Sequence, residues 1–385
     1  MRVLSKSKDI ANLIISTSKR RDSNMYVFGS WYGEKFADNP KYLYFYYLKN
    51  GKDAYWFTRS KSIYEELKKN NLPVLLAGTE EERAVSKKAK YFFYCCSLDD
   101  IDKYYAGGAV MINLWHGVPL KKIMYDDTYN YNTVNKSFYQ KLSHWVFANT
   151  IKKNYVVATS EVFAKIYKHA FRVDESHILI NGQPRNDCFF DGSIIRTQYG
   201  DKEYKKLITY MPTMRNMGKD VIDLNKTMDL VAIDRMCREH DALFIIKKHF
   251  CHRNETTNLD GLENIIDLTT TSIDSQELLF NTDILITDYS SCYIDFMLLE
   301  RQIIFYAYDL DDYLAKDREM YFQYEDVTPG VKATNFEQLF EQIEKGLKGN
   351  YHIDNDFLRV KNLFYDKPNQ GIVSPTILKI VDTLH

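Results

Sequence analysis

His116, Arg215 and His249 are the residues whose types and surroundings best suit phosphoryl chemistry. His116 ends an apolar stretch and is followed by Gly117, which lets the backbone turn sharply. Its imidazole titrates near neutral pH and therefore suits a general base. Arg215 is a permanently charged planar donor that matches a pyrophosphate, and His249 could donate to a phosphoryl oxygen as charge develops. We therefore predict a site that handles phosphate.

A further group of polar residues follows the apolar tetrapeptide 284–287. Asp288 and Tyr289 come first, and Ser290 and Ser291 then stand where they can cap a helix. A helix start offers backbone N–H groups and the positive end of its dipole to a phosphate. This order of strand, polar turn and capped helix predicts a phosphate-binding turn.

Each of these features also has an ordinary structural interpretation. His116 can be a capping or core residue, Arg215 a surface residue, and His249 a solvated or capping residue. Turns such as 288–291 occur several times in any α/β protein. Asp309 lies in an acidic, aromatic stretch that could bind ribose hydroxyls or simply begin a helix. The residues alone leave these alternatives open.

The elements that would position these residues alternate between strand and helix. Apolar runs typical of buried parallel strands recur through both halves, and helical patterns lie between most of them. This alternation predicts an α/β fold with helices on both faces of parallel sheets. The predicted strands are 25–28, 54–58, 73–76, 91–95, 110–115, 155–159, 178–181, 207–211, 242–247, 265–268, 284–287 and 303–306. The clearest helical patterns are 220–238, 274–281, 291–300, 335–347 and 374–384.

Ligands of such sheets bind beyond the carboxyl ends of the strands. The residues that follow the predicted strands are therefore candidate substrate contacts. They include Gly29, Ser30, Gly117, Thr213, Asp288, Tyr289, Ser290, Ser291 and Asp309, besides His116, Arg215 and His249.

Length and local composition predict two domains. The chain has 385 residues, and a polar stretch after Gly182 separates two strand-rich halves. We place the boundary after Asp187, which gives domains 1–187 and 188–385. The C-terminal helix is free to pack back on the first domain.

Composition limits the classes of partner and compartment. A net charge of −1 argues against nucleic acid. The six cysteines form no C-x-x-C pair or zinc-like spacing, so we expect free thiols and chemistry without a metal. No signal peptide or membrane span is expected.

From His116 to Ala170, eight lysines stand against three acidic residues among many aromatics. That segment could rest on anionic lipid or be a solvated helix face.

The motifs, taken together, resemble the CDP-glycerol:poly(glycerophosphate) glycerophosphotransferase family, whose members build teichoic acids and related capsule polymers. The resemblance runs through most of the chain, with the motifs in the expected order. They are Phe28-Gly-Ser-Trp-Tyr-Gly33 with Asp38-Asn-Pro-Lys41, Asn113-Leu-Trp-His-Gly117 with Pro119-Leu-Lys-Lys122, Gly182-Gln-Pro-Arg-Asn-Asp187, Met211-Pro-Thr-Met-Arg215, Ile286-Thr-Asp-Tyr-Ser-Ser291, Tyr308-Asp-Leu310 and Pro329-Gly330.

The resemblance implies a GT-B fold, in which two doubly wound Rossmann-like domains face a central cleft. It implies acceptor binding and the base His116 in the first domain, and CDP-donor binding in the second. His249, Arg215 and the Ser290-Ser291 turn would lie near the pyrophosphate, and Arg318 would contact the ligand. The chain departs from the family pattern at Val118, Phe250 and Glu319, which stand for threonine, proline and glycine. The last departure affects the surroundings of Arg318.

The resemblance also predicts the reaction. Glycerol phosphate would pass from CDP-glycerol to the hydroxyl of a lipid-linked or polymer acceptor, with release of CMP and without a cofactor. We expect a peripheral enzyme at the cytoplasmic face of the bacterial cell membrane. The alternatives are a CDP-ribitol or other CDP-polyol donor, a GT-B glycosyltransferase that uses a nucleotide sugar, and a non-catalytic scaffold of a polymer-assembly complex.

Overall fold

A computed structural model describes residues 11–18, 20–127, 153–215, 220–249, 252, 257–316 and 319–384. These residues form two compact units. The first contains the described residues of Met1–His116, Met124–Phe190 and Asp366–His385. The second contains those of Gly117–Ile123 and Asp191–Tyr365. Arg318 and residues 128–152 of the basic, aromatic segment lie outside the described residues.

The first unit is built on a sheet of seven parallel strands. Its spatial order is β3-β2-β1-β4-β5-β6-β7, so the chain winds outward in both directions from β1 and β4. The strands are β1 (Asp22–Phe28), β2 (Asp53–Thr58), β3 (Val74–Leu76), β4 (Ala89–Tyr94), β5 (Val110–Asn113), β6 (Lys153–Ala158) and β7 (Ile178–Ile180).

The second unit is built on a parallel sheet of six strands in the order β10-β9-β8-β11-β12-β13. Here the winding reverses between β8 and β11. The strands are β8 (Lys206–Met211), β9 (Ala242–Ile246), β10 (Ile265–Asp267), β11 (Ile284–Thr287), β12 (Gln302–Tyr306) and β13 (Lys332–Ala333). Both sheets confirm the predicted doubly wound α/β class, whereas the central cleft remains a prediction.

Helices cover the sheets, and several begin at a side chain that accepts a backbone N–H. Ser160, Asp274 and Asp354 do so at three helix starts. The described helices are residues 11–17, Asp38–Lys49, Lys61–Lys69, Glu80–Lys88, Glu161–Phe171, Leu224–Thr227, Leu230–Glu239, Ser275–Asn281, Cys292–Phe296, Leu310–Lys316, Tyr324–Val327, Phe336–Leu347, Asn355–Phe364 and Ser374–Asp382. No helix of the described ranges is long and apolar enough to cross a bilayer.

The core of the first unit lies on both faces of its sheet. Alternate residues of a strand point to opposite faces, so Tyr26 and Phe28 enter one apolar cluster and Val27 the other. The C-terminal helix completes the first cluster, where Ile377 and Val381 are buried. A parallel sheet that is covered on both sides explains why its strands read as nearly continuous apolar runs.

The predicted helix 220–238 is wrong, because the structure has two helices there. Leu224–Thr227 ends before Met228, and Leu230–Glu239 begins after Asp229. The Asp229 side chain accepts the N–H of Ala232 and so caps the second helix. The Tyr306 hydroxyl donates to the carbonyl of Thr227 at the end of the first helix.

Candidate functional site

In each unit, the predicted site residues lie near the point where the strand order of the sheet reverses. Ligands of doubly wound sheets bind where the strand order reverses. In the first unit this point lies between β1 and β4, and β5 is the next strand. Gly29 follows β1, Cys95 follows β4 and His116 follows β5. In the second unit Thr213 and Arg215 follow β8, and Asp288 follows β11.

The backbone around His116 makes two unusual turns. Trp115 has a φ of 54°, and Gly117 has a φ of 138° that glycine tolerates far better than other residues. His116 itself is partly exposed. Its Nδ1 lies 3.0 Å from the carbonyl oxygen of Cys95. A carbonyl can only accept, so Nδ1 carries the proton, and in the neutral ring Nε2 is the nitrogen that can take up a second one.

The charge environment of His116 favours protonation. Burial lowers the pKa of His116, but the hydrogen bond and charge of Cys96, together with Asp38, raise it above its usual value. The Cys96 pKa moves in the opposite direction. A hydrogen bond from the Cys95 thiol and the contact with His116 outweigh burial and lower the Cys96 pKa to about 7. Thiol and imidazole therefore form an acid–base pair.

A second network holds the chain on the other side of His116. Arg185 Nη1 donates to Asp38 Oδ1 at 2.9 Å and to the carbonyl oxygen of His116 at 3.1 Å. Trp31 Nε1 donates to Asp38 Oδ2 at 3.2 Å, and its ring lies 5.5 Å from the imidazole. Both side chains of the Arg185–Asp38 ion pair are largely buried, which makes the pair a rigid support.

Asp100 fixes the turn that carries the Cys95 carbonyl. Its Oδ2 accepts the N–H groups of Cys95 and Cys96 at 2.9 and 2.7 Å, and its Oδ1 accepts that of Tyr32 at 2.7 Å. The carboxylate is fully buried. Gly29 packs against the same turn, since a Cβ on it would lie 2.0 Å from the Asp100 carbonyl oxygen. Gly29 therefore has a packing role, and its contact with substrate stays a prediction.

Replacing Asp100 by asparagine should lower the free energy of unfolding by about 1.5–3 kcal/mol, the scale of a hydrogen bond to a charged group. Asparagine keeps one of the two oxygens and replaces the other by NH₂. The backbone N–H groups that bound the replaced oxygen would then face a donor instead of an acceptor. Urea denaturation measures the loss. Asp99→Asn is the matched control, because Asp99 is exposed and pairs with Lys103 across one turn. Equal effects at both positions would contradict this role of Asp100.

Arg215 organises the corresponding point of the second unit. Its Nε and Nη2 bind both oxygens of Asp309 at 2.7 and 3.0 Å. Nη2 also donates to Asp288 Oδ2 at 2.8 Å, and Nη1 donates to the carbonyl oxygen of Thr213 at 2.6 Å. These contacts use four of the five N–H groups of the guanidinium. Burial lowers the Arg215 pKa, but Asp288 and Asp309 raise it well above its usual value.

Aromatic rings enclose this ion-pair cluster. Tyr289 donates its hydroxyl proton to Asp309 Oδ1 at 2.9 Å, and its ring stacks on that of Tyr313 at 3.9 Å. The Arg215 guanidinium lies 4.9 Å from the centre of the Tyr289 ring. Lys121 stands over the other ring, with its Nζ 4.8 Å from the centre of Tyr313. The cluster is therefore rigid, aromatic and charged.

The remaining predicted contacts of the second unit differ in how the structure places them. Thr213 is buried, its N–H donates to Asp288 Oδ1, and within the described ranges its Oγ1 has no hydrogen-bond partner. Ser290 Oγ accepts the N–H of Cys292 at 3.4 Å. The prediction that Ser291 caps the helix through its side chain is wrong, since Ser291 makes no such bond and the helix is only five residues long. His249 lies in the loop after β9.

One group of described residues could hold a metal ion. The side-chain ligand atoms of Cys95, Cys96 and Asp100 lie within 4.8 Å of one another. Both Asp100 oxygens already accept backbone N–H groups, so the two thiols are the reactive groups of this set. Sequence reasoning missed these cysteines and the support from Asp38 and Arg185. The available signal was that Cys96 directly follows the predicted strand 91–95, and that Asp38 and Arg185 belong to motifs of the family pattern.

Comparisons with known proteins point to one family. A model of the family described as CDP-glycerol:poly(glycerophosphate) glycerophosphotransferase matches residues 12–381. The teichoic acid glycerol-phosphate transferase of Staphylococcus aureus (strain NCTC 8325 / PS 47) is 28% identical over 372 residues, covering 91% of this chain and 90% of that protein. The teichoic acid poly(glycerol phosphate) polymerase of Staphylococcus epidermidis is also 28% identical over 372 residues, but this chain covers only 47% of it.

A solved structure shares the fold. The wall teichoic acid polymerase TagF superposes with a TM-score of 0.74 at 23% identity, covering 99% of this chain and 94% of that chain. The likeness confirms the predicted GT-B fold class.

Proposed function

The chain belongs to the CDP-glycerol:poly(glycerophosphate) glycerophosphotransferase family, and from this premise we propose that it moves glycerol phosphate from CDP-glycerol to an acceptor hydroxyl and releases CMP. The polymer would be a teichoic acid or a related capsule polymer. The family match over residues 12–381, with the near-complete coverage of a teichoic acid glycerol-phosphate transferase, carries the proposal.

His116 is the general base of the proposed reaction. The acceptor hydroxyl attacks the β-phosphorus in line with the departing CMP, and His116 Nε2 takes the hydroxyl proton. The Cys95 carbonyl supports this role because it holds the Nδ1 proton, which makes Nε2 the nitrogen that can take up the hydroxyl proton. Asp38 and Cys96 stabilise the imidazolium that forms.

In the second unit, Arg215 acts by positioning rather than by a free pyrophosphate contact. The guanidinium already uses four of its five N–H groups on Asp309, Asp288 and Thr213, which leaves at most one for a phosphate. We therefore assign the stabilisation of departing CMP to His249 and the Ser290-Ser291 turn. Asp309 and Tyr289, held in place by Arg215, are proposed to contact the ribose and base of the donor. Thr213, Gly117, Ser30 and Arg318 remain proposed substrate contacts.

Three kinds of acceptor fit the proposed reaction, and all of them point to the membrane. A lipid-linked disaccharide, a polyol-phosphate chain or a capsule glycan could supply the hydroxyl. Such acceptors lie at the membrane, so we propose peripheral binding to an anionic membrane surface at its cytoplasmic face.

Release of CMP by the purified chain tests this function. The chain is incubated with CDP-glycerol or CDP-ribitol, and with either a lipid-linked disaccharide or a glycerol-phosphate oligomer. CMP from CDP-glycerol supports the proposal, and the preferred acceptor separates priming from polymerisation. CMP only from CDP-ribitol would change the donor. Turnover of a nucleotide sugar, with CMP from neither donor, would contradict the phosphotransferase assignment.

The pH profile of the reaction should report the surroundings of His116. The base must be neutral, and its pKa is raised, so kcat/KM should fall on the acid side with a midpoint above the usual value of about 6.5. Cys96→Ser removes the largest cause that raises the pKa, so its midpoint should lie lower than that of the wild type. A midpoint that is unchanged by Cys96→Ser would contradict the proposed contact.

A further inference from the structure

Two neighbouring thiols lie beside the proposed base. Cys95 and Cys96 follow β4 in a bend, and their sulfur atoms are 3.6 Å apart. Successive side chains of a regular strand point to opposite faces, so only the bend allows this approach. Cys95 is buried and Cys96 is partly exposed. Oxidant can therefore reach one sulfur, and the other lies next to it.

We propose that Cys95 and Cys96 are a reversible oxidation site, and that a disulfide between them disables His116. The coupling to activity rests on the proposed function, whereas the disulfide itself does not. The oxidant is a peroxide. The resulting disulfide between adjacent residues is geometrically constrained, and constrained disulfides are the ones that thiols reduce readily.

The chemistry proceeds in two balanced steps. The Cys96 thiolate attacks a peroxide oxygen, forms a sulfenic acid and releases hydroxide. The Cys95 thiol then attacks the Cys96 sulfur, the S–S bond forms, and water leaves. The two thiols together lose two electrons, and these electrons reduce one peroxide molecule. Cys96 is the attacking residue because it is partly exposed, whereas Cys95 is buried.

The peptide unit between the two cysteines links oxidation to His116. Its carbonyl, that of Cys95, accepts the Nδ1 proton of His116. Its N–H, that of Cys96, donates to Asp100. Closing a ring through two adjacent side chains must rotate this peptide unit, because adjacent Cα atoms are closer than those of ordinary disulfides. Oxidation would therefore displace the carbonyl that orients the imidazole and also remove the Cys96 thiol from it.

The other described cysteines lack these properties. Cys188 and Cys237 are buried, and burial raises the pKa of Cys237 to about 12. Burial also raises the pKa of Cys292 to about 11, which makes its thiolate scarce at neutral pH. Cys251 lies outside the described residues. Selective oxidation at Cys96 is thus expected from its surroundings.

The test uses the full chain treated with hydrogen peroxide, with half of each sample then reduced by dithiothreitol. Peptide mass spectrometry detects the Cys95–Cys96 disulfide as a loss of two hydrogen atoms. The rate at which diethyl pyrocarbonate modifies His116, relative to the partly exposed His177, reports the state of the imidazole without requiring turnover. CMP release reports activity. Cys95→Ser and Cys96→Ser are compared with Cys237→Ala, each variant relative to its own untreated sample.

We expect the wild type and Cys237→Ala to form the disulfide, to change His116 reactivity several-fold and to lose CMP release by about 10²-fold, the lower range for a general base. Dithiothreitol should restore all three readouts, and both serine variants should lack the reversible loss. Absence of the disulfide, or a disulfide with unchanged His116 reactivity and CMP release, would overturn the proposal. If the untreated chain releases no CMP, the proposed function fails, and the disulfide and His116 reactivity still decide the coupling.

Discussion

Replacing His116 by asparagine should lower kcat for CMP release by about 10²–10⁴-fold, the range for a general base. Asparagine can still donate to the Cys95 carbonyl and fills similar space, but its amide cannot take up the acceptor proton. Initial rates of CMP release measure the loss. Calorimetric titration with CDP-glycerol should give nearly the wild-type Kd, because the proposed base acts on the acceptor.

His177→Asn is the matched control for this experiment. His177 is a partly exposed histidine of the same unit, and its ring lies beside that of Tyr155. Its replacement should leave kcat within about twofold, since surface substitutions seldom exceed ±0.5 kcal/mol. If His116→Asn keeps more than about a tenth of wild-type turnover, the base has been assigned to the wrong residue.

Most of the fold could be predicted because it depends on local patterns. All twelve predicted strands are present, most within two residues of their predicted ends, because parallel strands buried on both faces are continuous apolar runs. The thirteenth, Lys332–Ala333, has only two residues and no apolar run, so no local signal marks it. The break between Thr227 and Leu230 was also missed, where the Tyr306 hydroxyl reaches from a distant strand.

The candidate site was less predictable because its contacts join distant parts of the chain. His116 and Arg215 could be named from residue type and their position after a strand. The partner of Arg215 is Asp309, which lies 94 residues further along the chain. This ion pair occupies guanidinium N–H groups that the residue type alone suggested for a pyrophosphate. The contact between His116 and Cys95 likewise requires β4 to lie beside β5, which is a property of the sheet order.

Replacing Arg215 by methionine should lower the free energy of unfolding by about 3–5 kcal/mol, as removal of one partner from a buried ion pair does. Asp288 is fully buried and Asp309 largely so, and removal of the guanidinium would take away the cation that binds both carboxylates. Urea denaturation measures the change. Arg359→Met is the control, since Arg359 forms an exposed pair with Asp356 that should contribute about 0–1 kcal/mol.

Two companion variants separate the charge of Arg215 from its geometry. Arg215→Lys keeps the charge but cannot bind both oxygens of Asp309 while also reaching Asp288, so it should lose part of the stability and most of the CMP release. Arg215→Met combined with Asp309→Asn removes one of the two repelling charges and should be more stable than Arg215→Met alone. If adding Asp309→Asn instead lowers stability further, electrostatic repulsion does not explain the cost, and Arg215 stabilises the unit through packing.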